Sequence, residues 1–427
     1  MLDIELIRRE PDRVRAALLK RMDSVDLEAI LELDGRRRQL RGELEALQAR
    51  RNQTAKEIGQ RKAKGGGDTA ELEAAASGVR TEIAAIEAQV TSVEEKLQVL
   101  LDELPNMPDD RVPAGGKEAN QVVRTWGEKP TPVSKPLDHV ELCTRNGLID
   151  YERGTKLGGN GFWLYTGVGA ALEWALLDFF CRQHVADGYQ FLLPPHLLIE
   201  ECGYTAGQFP KFRDDVFHLQ TAPGERSRFL LPTSETAILN VYRDEILPFE
   251  KLPIKAFAYT PCYRREAGSH RTEERGTIRG HQFNKVEMFQ FTTPEGGEAG
   301  LEELVGKTES LVQQLGLHHR TSLLAAGDAS ASMTMTYDVE VWIPSIKQYK
   351  EVSSASWARD YQARRAGIRF KRDKGKKSEF VHTLNASGLA TSRIVPALVE
   401  QHQQEDGSIK VPAPLQGWLG TDLIRAR

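Results

Sequence analysis

The chain has 427 residues, of which 40% are hydrophobic and 28% charged, and a formal net charge of −4 at pH 7. This length allows two or three domains, and the near-neutral charge means that any nucleic-acid partner must bind a local patch. The four cysteines show no CxxC spacing, so neither a zinc site nor a disulfide framework is expected. The sequence shows no signal segment and no apolar run of membrane-spanning length, so we expect a cytoplasmic protein without a membrane partner.

Residues 1–104 contain the strongest periodicity of the chain. Positions at steps of three and four run from Leu33 to Ile58, apolar except at Arg37, Arg51 and Thr54, and again from Leu72 to Leu100. This pattern is a heptad seam on each of two helices. The triple glycine at 65–67 cannot continue a helix without a large loss of stability. We therefore predict an antiparallel coiled-coil hairpin over about 27–102, with arms roughly 50 Å long.

The first helix of this hairpin is rich in cations. They are Arg36, Arg37, Arg38, Arg41, Arg50, Arg51, Arg61, Lys62 and Lys64. Such a row fits an RNA phosphate backbone, and because it includes no obvious base-reading set, recognition of RNA shape is favoured over recognition of sequence. By itself the hairpin is equally compatible with a dimerisation coiled coil or a spacer.

The composition changes again beyond the hairpin. Residues 105–137 are rich in proline, glycine and charge, which predicts a linker. Residues 138–427 are globular in composition, and we assign them to a second domain of the α+β class. Its first strong elements are an apolar helix over 172–185 and a buried strand over 189–193 that ends at two prolines.

The most distinctive stretch, from Phe257 to Phe291, is predicted to form two strands joined by a long basic loop. The first strand ends in Tyr263-Arg264-Arg265-Glu266-Ala267-Gly268-Ser269, and the second begins at His281-Gln282-Phe283-Asn284-Lys285-Val286-Glu287. Arginines beside a glycine turn suit phosphate, because guanidinium offers a rigid bidentate fork. On charge alone, an ordinary surface hairpin with a solvated charge run is the alternative.

Three other segments carry polar groups at a strand end or a helix start. They are Thr233-Ser234-Glu235 after a strand, Glu351 to Ser354 within an alternating strand, and 382–393, where small residues lead into Ser392-Arg393 and a helix. Small residues allow a ligand to approach the backbone, and a helix start favours anions. A simple N-cap is the alternative explanation for Thr-Ser-Glu.

Together these segments resemble the motifs of class II aminoacyl-tRNA synthetases and, over almost the whole chain, those of seryl-tRNA synthetases. The stretch 263–287 resembles motif 2, 172–195 resembles motif 1, and 382–401 resembles motif 3. A match of this extent is more specific than a lone glycine-rich loop. The resemblance implies a coiled-coil arm that binds tRNA(Ser), followed by a class II catalytic domain with a mainly antiparallel sheet flanked by helices, in a homodimer.

The resemblance also implies an activity, the ATP-dependent ligation of L-serine to tRNA(Ser) through a seryl-adenylate. In that reaction the serine carboxylate attacks the α-phosphate of ATP, so the site needs fixed positive charge but no nucleophile from the protein. The sequence accordingly contains neither a GxSxG pattern nor a P-loop pattern.

The ATP site implied by the resemblance comprises Arg264, Arg265, Glu266, Phe283, Glu351, Val352, Ser353, Ser354 and Arg393. In it, the catalytic residues Arg264 and Arg393 hold the α- and γ-phosphates. Glu266 accepts from the adenine amino group and Phe283 stacks on the base. Glu351 and Ser354 bind Mg²⁺, for which hard oxygen ligands are suited.

The serine site implied by the resemblance comprises Thr233, Ser234, Glu235, Glu287, Asn385 and Ser387. A carboxylate there can pair with the serine ammonium group. Groups that bond the serine hydroxyl would reject alanine, because its methyl group leaves buried polar atoms unpaired.

The sequence departs from the family pattern at three places near this site. Ala355 stands where the family usually has cysteine, Ala329 where it has methionine, and 270–274 differs from the common small and basic set. These departures raise the hypothesis of a divergent or secondary copy, one that serves a biosynthetic pathway or tolerates an inhibitor. Two other functions stay open: an enzyme that loads a carrier protein, which would lack the basic arm, and a silent RNA-binding paralogue, which would have lost a motif arginine.

Overall fold

The computed structural model describes residues 1–63, 69–266 and 275–425. The chain divides into two compact units, Leu2–Pro105 and Asn106–Arg427. Lys64 and the predicted glycine turn lie outside the described residues, as does the part of the motif 2 loop from Ala267 to Glu274.

The first unit is helical. Its described helices are α1 (Ile4–Arg9), α2 (Pro11–Leu18), α3 (Glu28–Ala63) and α4 (Ala70–Glu103). The two long helices pack along each other, and α4 buries Val79, Ile83, Val90, Leu97 and Leu101 at heptad-like spacing. Arg41 pairs with Glu94 and Lys62 with Glu73, so residue numbers rise on one helix as they fall on the other. The predicted antiparallel helical hairpin is therefore confirmed.

The second unit contains the remaining elements. Its helices are α5 (His139–Arg145), α6 (Tyr151–Gly158), α7 (Gly167–Ala186), α8 (Glu200–Thr205), α9 (Glu235–Leu239), α10 (Gly297–Gln314), α11 (Tyr361–Ala366), α12 (Thr391–Gln401) and α13 (Ala413–Leu419). Its strands are β1 (Gln121–Trp126), β2 (Ile149–Asp150), β3 (Leu164–Tyr165), β4 (Gln190–Leu192), β5 (Leu197–Ile199), β6 (Arg228–Leu230), β7 (Ile246–Pro248), β8 (Ile254–Tyr263), β9 (Gln282–Thr292), β10 (His319–Leu323), β11 (Met335–Ile343), β12 (Gln348–Arg359), β13 (Arg369–Lys371), β14 (Glu379–Phe380), β15 (His382–Ala390), β16 (Ile409–Lys410) and β17 (Leu423–Ile424).

The largest sheet has eight strands in the order β1-β10-β11-β12-β15-β9-β8-β4. Every neighbouring pair is antiparallel except β4 and β8, which confirms the predicted mainly antiparallel sheet. Helices α7, α10 and α12 pack against this sheet, and their buried apolar residues form one core with it. Helices α10 and α12 present one apolar face to the core, whereas α7 is apolar on most of its sides. The four strands β12, β15, β9 and β8 are adjacent, so the predicted motif residues on them come together.

The structure differs from the predicted linker over 105–137. Residues 121–126 form β1, which pairs with β10 at the edge of the large sheet. The buried side chain of Asn106 donates to the carbonyl oxygens of Ser332 and Ala358. The six side chains of β1 are all exposed, so this strand lacks the apolar alternation that would have identified it; backbone pairing places it instead. Within the described residues, no helix is long and apolar enough to cross a membrane.

Candidate active site

A cavity of about 480 Å³ lies in the second unit where the four motif-like segments meet, and residues of 206–216 and 330–333 also line it. Its walls come from the end of β8, from β9, β12 and β15, and from the start of α9. The sequence-predicted residues that line it are Thr233, Glu235, Arg264, Glu266, Glu287, Glu351, Ser354, Asn385 and Ser387. A smaller adjoining cavity shares Arg264 and Glu351 and adds Phe283, Val352 and Arg393. A continuous site therefore collects most of the residues predicted for ATP and serine.

One end of the large cavity is a buried polar cluster around two carboxylates. Glu287, which is 1% exposed, pairs with Lys285 Nζ at 2.5 Å and accepts from Asn385 Nδ2 at 3.0 Å. The same Asn385 amide lies 3.4 Å from Glu235 Oε2, while Gln362 Nε2 donates to Glu235 Oε1 at 2.6 Å. Strand pairing explains part of this geometry, since Ser387 lies directly opposite Glu287 in the β15–β9 ladder.

The cluster holds more negative than positive charge. Burial, followed by the charge of Glu287, raises the pKa of Glu235 to about 7, against the opposing effects of Gln362, Lys285 and Arg264. Two carboxylates share the single ammonium group of Lys285, so a second cation entering here would favour the ionised form of Glu235. The cluster is thus suited to a small ligand that carries an ammonium group.

Two hydroxyl groups complete this end of the cavity. Thr233 Oγ1 accepts from Lys285 Nζ at 2.7 Å and from the Glu235 backbone N–H at 3.3 Å. Ser387 Oγ donates to Glu287 Oε2 at 3.4 Å. Ser234 is different, because its fully buried hydroxyl is bonded to Thr260 Oγ1 at 2.8 Å and does not line the cavity.

The other end of the cavity carries guanidinium groups. Arg264 lies with its guanidinium carbon 5.3 Å from the centre of the Phe283 ring, and its Nε donates to the Pro232 carbonyl at 3.3 Å. Glu266 accepts from Arg279 Nη1 at 2.6 Å. Arg265 is exposed and lines neither cavity, and its backbone N–H donates to the Asp215 carbonyl. The cationic arginine and the aromatic face suit a phosphate and a flat base.

Arg393 lies in the first turn of α12, as the motif 3 pattern predicts. Its Nη1 donates to the Glu351 carbonyl at 2.8 Å and pairs with Glu351 Oε2 at 3.2 Å, and its Nε donates to the Ile278 carbonyl at 3.3 Å. These bonds hold the guanidinium beside the smaller cavity, where an anion could displace the carboxylate of Glu351.

The predicted magnesium ligands face the large cavity from one strand, β12. Ser354 Oγ donates to Asp338 Oδ1 at 2.6 Å, and burial together with Glu351 raises the pKa of Asp338 well above its usual range. Ser353 points elsewhere: its buried hydroxyl donates to the Ser387 carbonyl at 2.7 Å. In the parts of the chain that the structure describes, no three His, Cys, Asp or Glu side chains form a ready metal centre. A carboxylate and a hydroxyl fit Mg²⁺ nevertheless, since this ion is commonly held by one or two protein ligands and the substrate phosphates.

Among the described side chains in or beside the site that were not predicted as site residues, four contact the predicted ones directly. They are Lys285, Arg279, Asp338 and Gln362. Alternation along β9 could have identified Lys285, because it shares a strand face with Glu287 two residues later. No local pattern singles out Gln362, which lies on the short helix α11 and reaches Glu235 only through the tertiary fold.

Comparisons with known proteins identify the family of this chain. Residues 217–402 match the family model of the tRNA synthetase class II core domain (G, H, P, S and T), and residues 1–108 match that of the seryl-tRNA synthetase N-terminal domain. The chain is 56% identical over 425 residues to serine–tRNA ligase 2 of Clostridium acetobutylicum, covering 99% of this chain and 100% of the relative. It is 42% identical over 425 residues to serine–tRNA ligase of Desulfitobacterium hafniense, with the same coverage.

Solved structures give the same result. The crystal structure of seryl-tRNA synthetase from Pyrococcus horikoshii complexed with ATP matches over 100% of both chains, with a TM-score of 0.90 and 32% identity. The cytoplasmic serine–tRNA ligase of Naegleria fowleri in complex with AMP matches over 100% of this chain and 99% of that one, with a TM-score of 0.87 and 26% identity.

Proposed function

Because the chain belongs to the seryl-tRNA synthetases, which ligate serine to tRNA at the expense of ATP, we propose that its large cavity binds L-serine and ATP side by side and forms a seryl-adenylate. The observation that carries this assignment is the polarity of one continuous site. A buried carboxylate cluster at one end suits an ammonium group, and arginines at the other suit phosphates.

Serine is proposed to bind in the buried cluster. Glu287 and Glu235 accept from its ammonium group, and Glu235 becomes ionised as the second cation arrives. The hydroxyl group of serine forms hydrogen bonds with Thr233, Asn385 and Ser387, which line this end of the cavity. Alanine has no hydroxyl group and would leave polar atoms of these side chains unpaired. The serine carboxylate is then left to face Arg264.

ATP is proposed to occupy the arginine end, with its adenine on Phe283 and its amino group bonded to Glu266. Arg264 holds the α-phosphate and stabilises the charge that develops when the serine carboxylate attacks it, and Arg393 holds the γ-phosphate. Glu351 and Ser354 would hold Mg²⁺, which neutralises phosphate charge when bound. We assign no side-chain contact with either substrate to Arg265, Ser234 or Ser353, because these side chains lie outside both cavities.

The helical hairpin is proposed to be the coiled-coil arm that binds tRNA(Ser). Several of its cations are already neutralised, since Arg37 and Arg38 pair with Asp34. Within the described part of the hairpin, the exposed Arg50 and Arg61 make no ion pair with a carboxylate, which leaves them available for RNA phosphates.

A homodimer is proposed to form through the end of the large sheet where β4 lies. Large apolar side chains are exposed around this strand, among them Leu193 (75% exposed) and Trp174 (53% exposed). An edge strand beside exposed apolar side chains is typical of an interface. We place the enzyme in the cytoplasm, with tRNA.

We also propose that this copy is a secondary one. The support is the 56% identity to a relative named serine–tRNA ligase 2, against 42% identity to the relative from Desulfitobacterium hafniense. If the copy is inhibitor-tolerant, serylation will continue at concentrations of a seryl-adenylate analogue that stop an ordinary homologue. Equal sensitivity of the two enzymes would refute the tolerance hypothesis.

The proposed residue roles are tested by serine-dependent ATP–pyrophosphate exchange, with alanine, threonine, glycine and cysteine alongside, followed by charging of tRNA(Ser). Arg264→Ala should abolish exchange and charging, whereas Arg265→Ala, which changes a neighbouring exposed arginine, should leave exchange close to wild type. Exchange without charging would instead favour the carrier-loading enzyme. A folded wild-type protein that binds tRNA without any exchange would favour the silent paralogue.

A further inference from the structure

The short segment 275–281, within the motif 2 stretch, is hydrogen-bonded to the start of the motif 3 helix α12. The buried Thr277 donates through Oγ1 to the Ser392 carbonyl at 2.7 Å, and the Ile278 carbonyl accepts from Arg393 Nε. Arg279 pairs with Glu266 on the opposite wall. The position of this segment therefore determines where Arg393 and Glu266 point.

A buried histidine holds the start of this segment. His139, the first residue of α5, is 3% exposed. Its Nδ1 lies 2.7 Å from Glu400 Oε1 on α12, and its Nε2 lies 3.1 Å from the carbonyl oxygen of Arg275. Glu400 also accepts from the backbone N–H of His139, and from the backbone N–H and hydroxyl of Ser345.

Both partners of the His139 ring are acceptors. A backbone carbonyl cannot donate, and the Glu400 carboxylate accepts on both of its oxygens. A neutral imidazole has only one N–H, so it could satisfy one partner but not both. The geometry therefore calls for the imidazolium form, which donates from both nitrogens.

The surroundings leave this ring little freedom. Gly276 has a φ of 72°, and a Cβ atom there would lie 2.6 Å from His139 Nε2. The charged groups that act on the ring are Glu400 and the adjacent Asp138, and Asp138 pairs with Arg275 at 3.3 Å. The titratable side chains of Cys143 and Tyr151 lie near Asp138 as well. Burial opposes the charge, but the hydrogen bonds to Glu400 and to the Arg275 carbonyl outweigh it and raise the pKa of His139.

We propose that His139 is a positioning residue of the ligase: as an imidazolium it ties segment 275–281 to α12 and so holds Arg393 and Glu266 in the ATP site. This inference rests on the roles proposed above for those two residues. Only the charged form donates both ring hydrogen bonds, to Glu400 and to the Arg275 carbonyl. Both bonds are therefore present below the pKa of His139, and one is lost as the pH rises through that pKa.

The test is the pH profile of ATP–pyrophosphate exchange between pH 6 and 9.5, with kcat and the KM for ATP measured at each pH. For the wild type we expect kcat to fall on the alkaline side. His139→Gln should lower kcat on the order of 10- to 100-fold at pH 7, the range for misplaced catalytic groups, and should lose that alkaline fall. Glu400→Gln should move the fall to lower pH, since it removes the charge that stabilises the proton. Ser345→Ala, which removes the hydroxyl donor from Glu400 but keeps the carboxylate charge, should move the fall much less than Glu400→Gln does.

The proposal is wrong if His139→Gln keeps the wild-type alkaline fall, or if Glu400→Gln does not move it. Should His139→Gln not fold, the Glu400→Gln profile decides alone. Arg393→Ala, measured in parallel, distinguishes a failure of the role proposed for Arg393 from a failure of the role proposed for His139. If Arg393→Ala retains full exchange, the role proposed for Arg393 is wrong. If it abolishes exchange while the His139 and Glu400 variants behave like wild type, only the positioning role of His139 is wrong.

Discussion

Replacing Glu235 by glutamine should stabilise the ligand-free protein while weakening serine binding. This carboxylate is 8% exposed, and burial with the nearby charge of Glu287 raises its pKa from 4.5 to about 7. The oxygen of a glutamine side chain can still accept from Gln362, so the variant keeps the 2.6 Å hydrogen bond while removing the charge.

The magnitude follows from the shift in pKa. Each pKa unit corresponds to about 1.4 kcal/mol, so a shift from 4.5 to about 7 is worth about 3 kcal/mol. Because the folded-state pKa lies above the unfolded one, the folded protein binds the extra proton between pH 4.5 and 7 and loses stability as the pH rises through that window. The glutamine variant avoids this loss, so its advantage in unfolding free energy should approach about 3 kcal/mol at pH 8 and should be much smaller at pH 5.

Serine binding should change in the opposite direction. A hydrogen bond to a charged group contributes about 1.5–3 kcal/mol, so the KM for serine in pyrophosphate exchange should rise roughly tenfold to a hundredfold. The KM for ATP should change little, because Glu235 lines only the large cavity and lies at its carboxylate end.

The assay is urea unfolding of wild type and Glu235→Gln at pH 5 and pH 8, paired with exchange kinetics. Glu250→Gln, at an exposed glutamate, is the matched control and should show no pH-dependent difference from wild type. The reasoning is refuted if the difference in unfolding free energy between Glu235→Gln and wild type is no larger at pH 8 than at pH 5. In that case the ionised Glu235 carboxylate does not destabilise the folded protein, and the serine subsite lacks the charge imbalance proposed for it.

Three further outcomes are expected. Arg50→Glu with Arg61→Glu should raise the KM for tRNA(Ser) and flatten its salt dependence, while pyrophosphate exchange stays at the wild-type rate; a slower exchange would contradict a role confined to RNA. Leu193→Asp should convert a dimer into a monomer in light scattering, since a charge would be buried at the proposed interface, and an unchanged mass would exclude that interface. Asp338→Ala should raise the Mg²⁺ concentration needed for half-maximal exchange, because Ser354 loses the 2.6 Å bond that orients it; an unaltered Mg²⁺ dependence would remove Asp338 from the metal environment.

Elements that depend on a local pattern could be predicted from the sequence. Heptad spacing over Leu33–Ile58 and Leu72–Leu100 predicted two long helices, and the structure has them as α3 and α4. The alternation around Arg264 and Glu287 likewise predicted the strands β8 and β9. Such patterns are readable because side-chain direction repeats every 3.6 residues on a helix and every two on a strand, whatever lies far away in the chain.

Which polar side chains face one another depends on the packing of distant segments and is visible in the folded structure alone. Thr233 and Ser234 are adjacent in sequence, yet one lines the cavity and the other is buried against Thr260. Gln362 reaches Glu235 across 127 residues of chain. The raised pKa of Glu235 and the double acceptor environment of His139 likewise depend on the register of paired strands and on burial. Burial and long-range pairing arise from the packing of distant segments, and no local pattern encodes them.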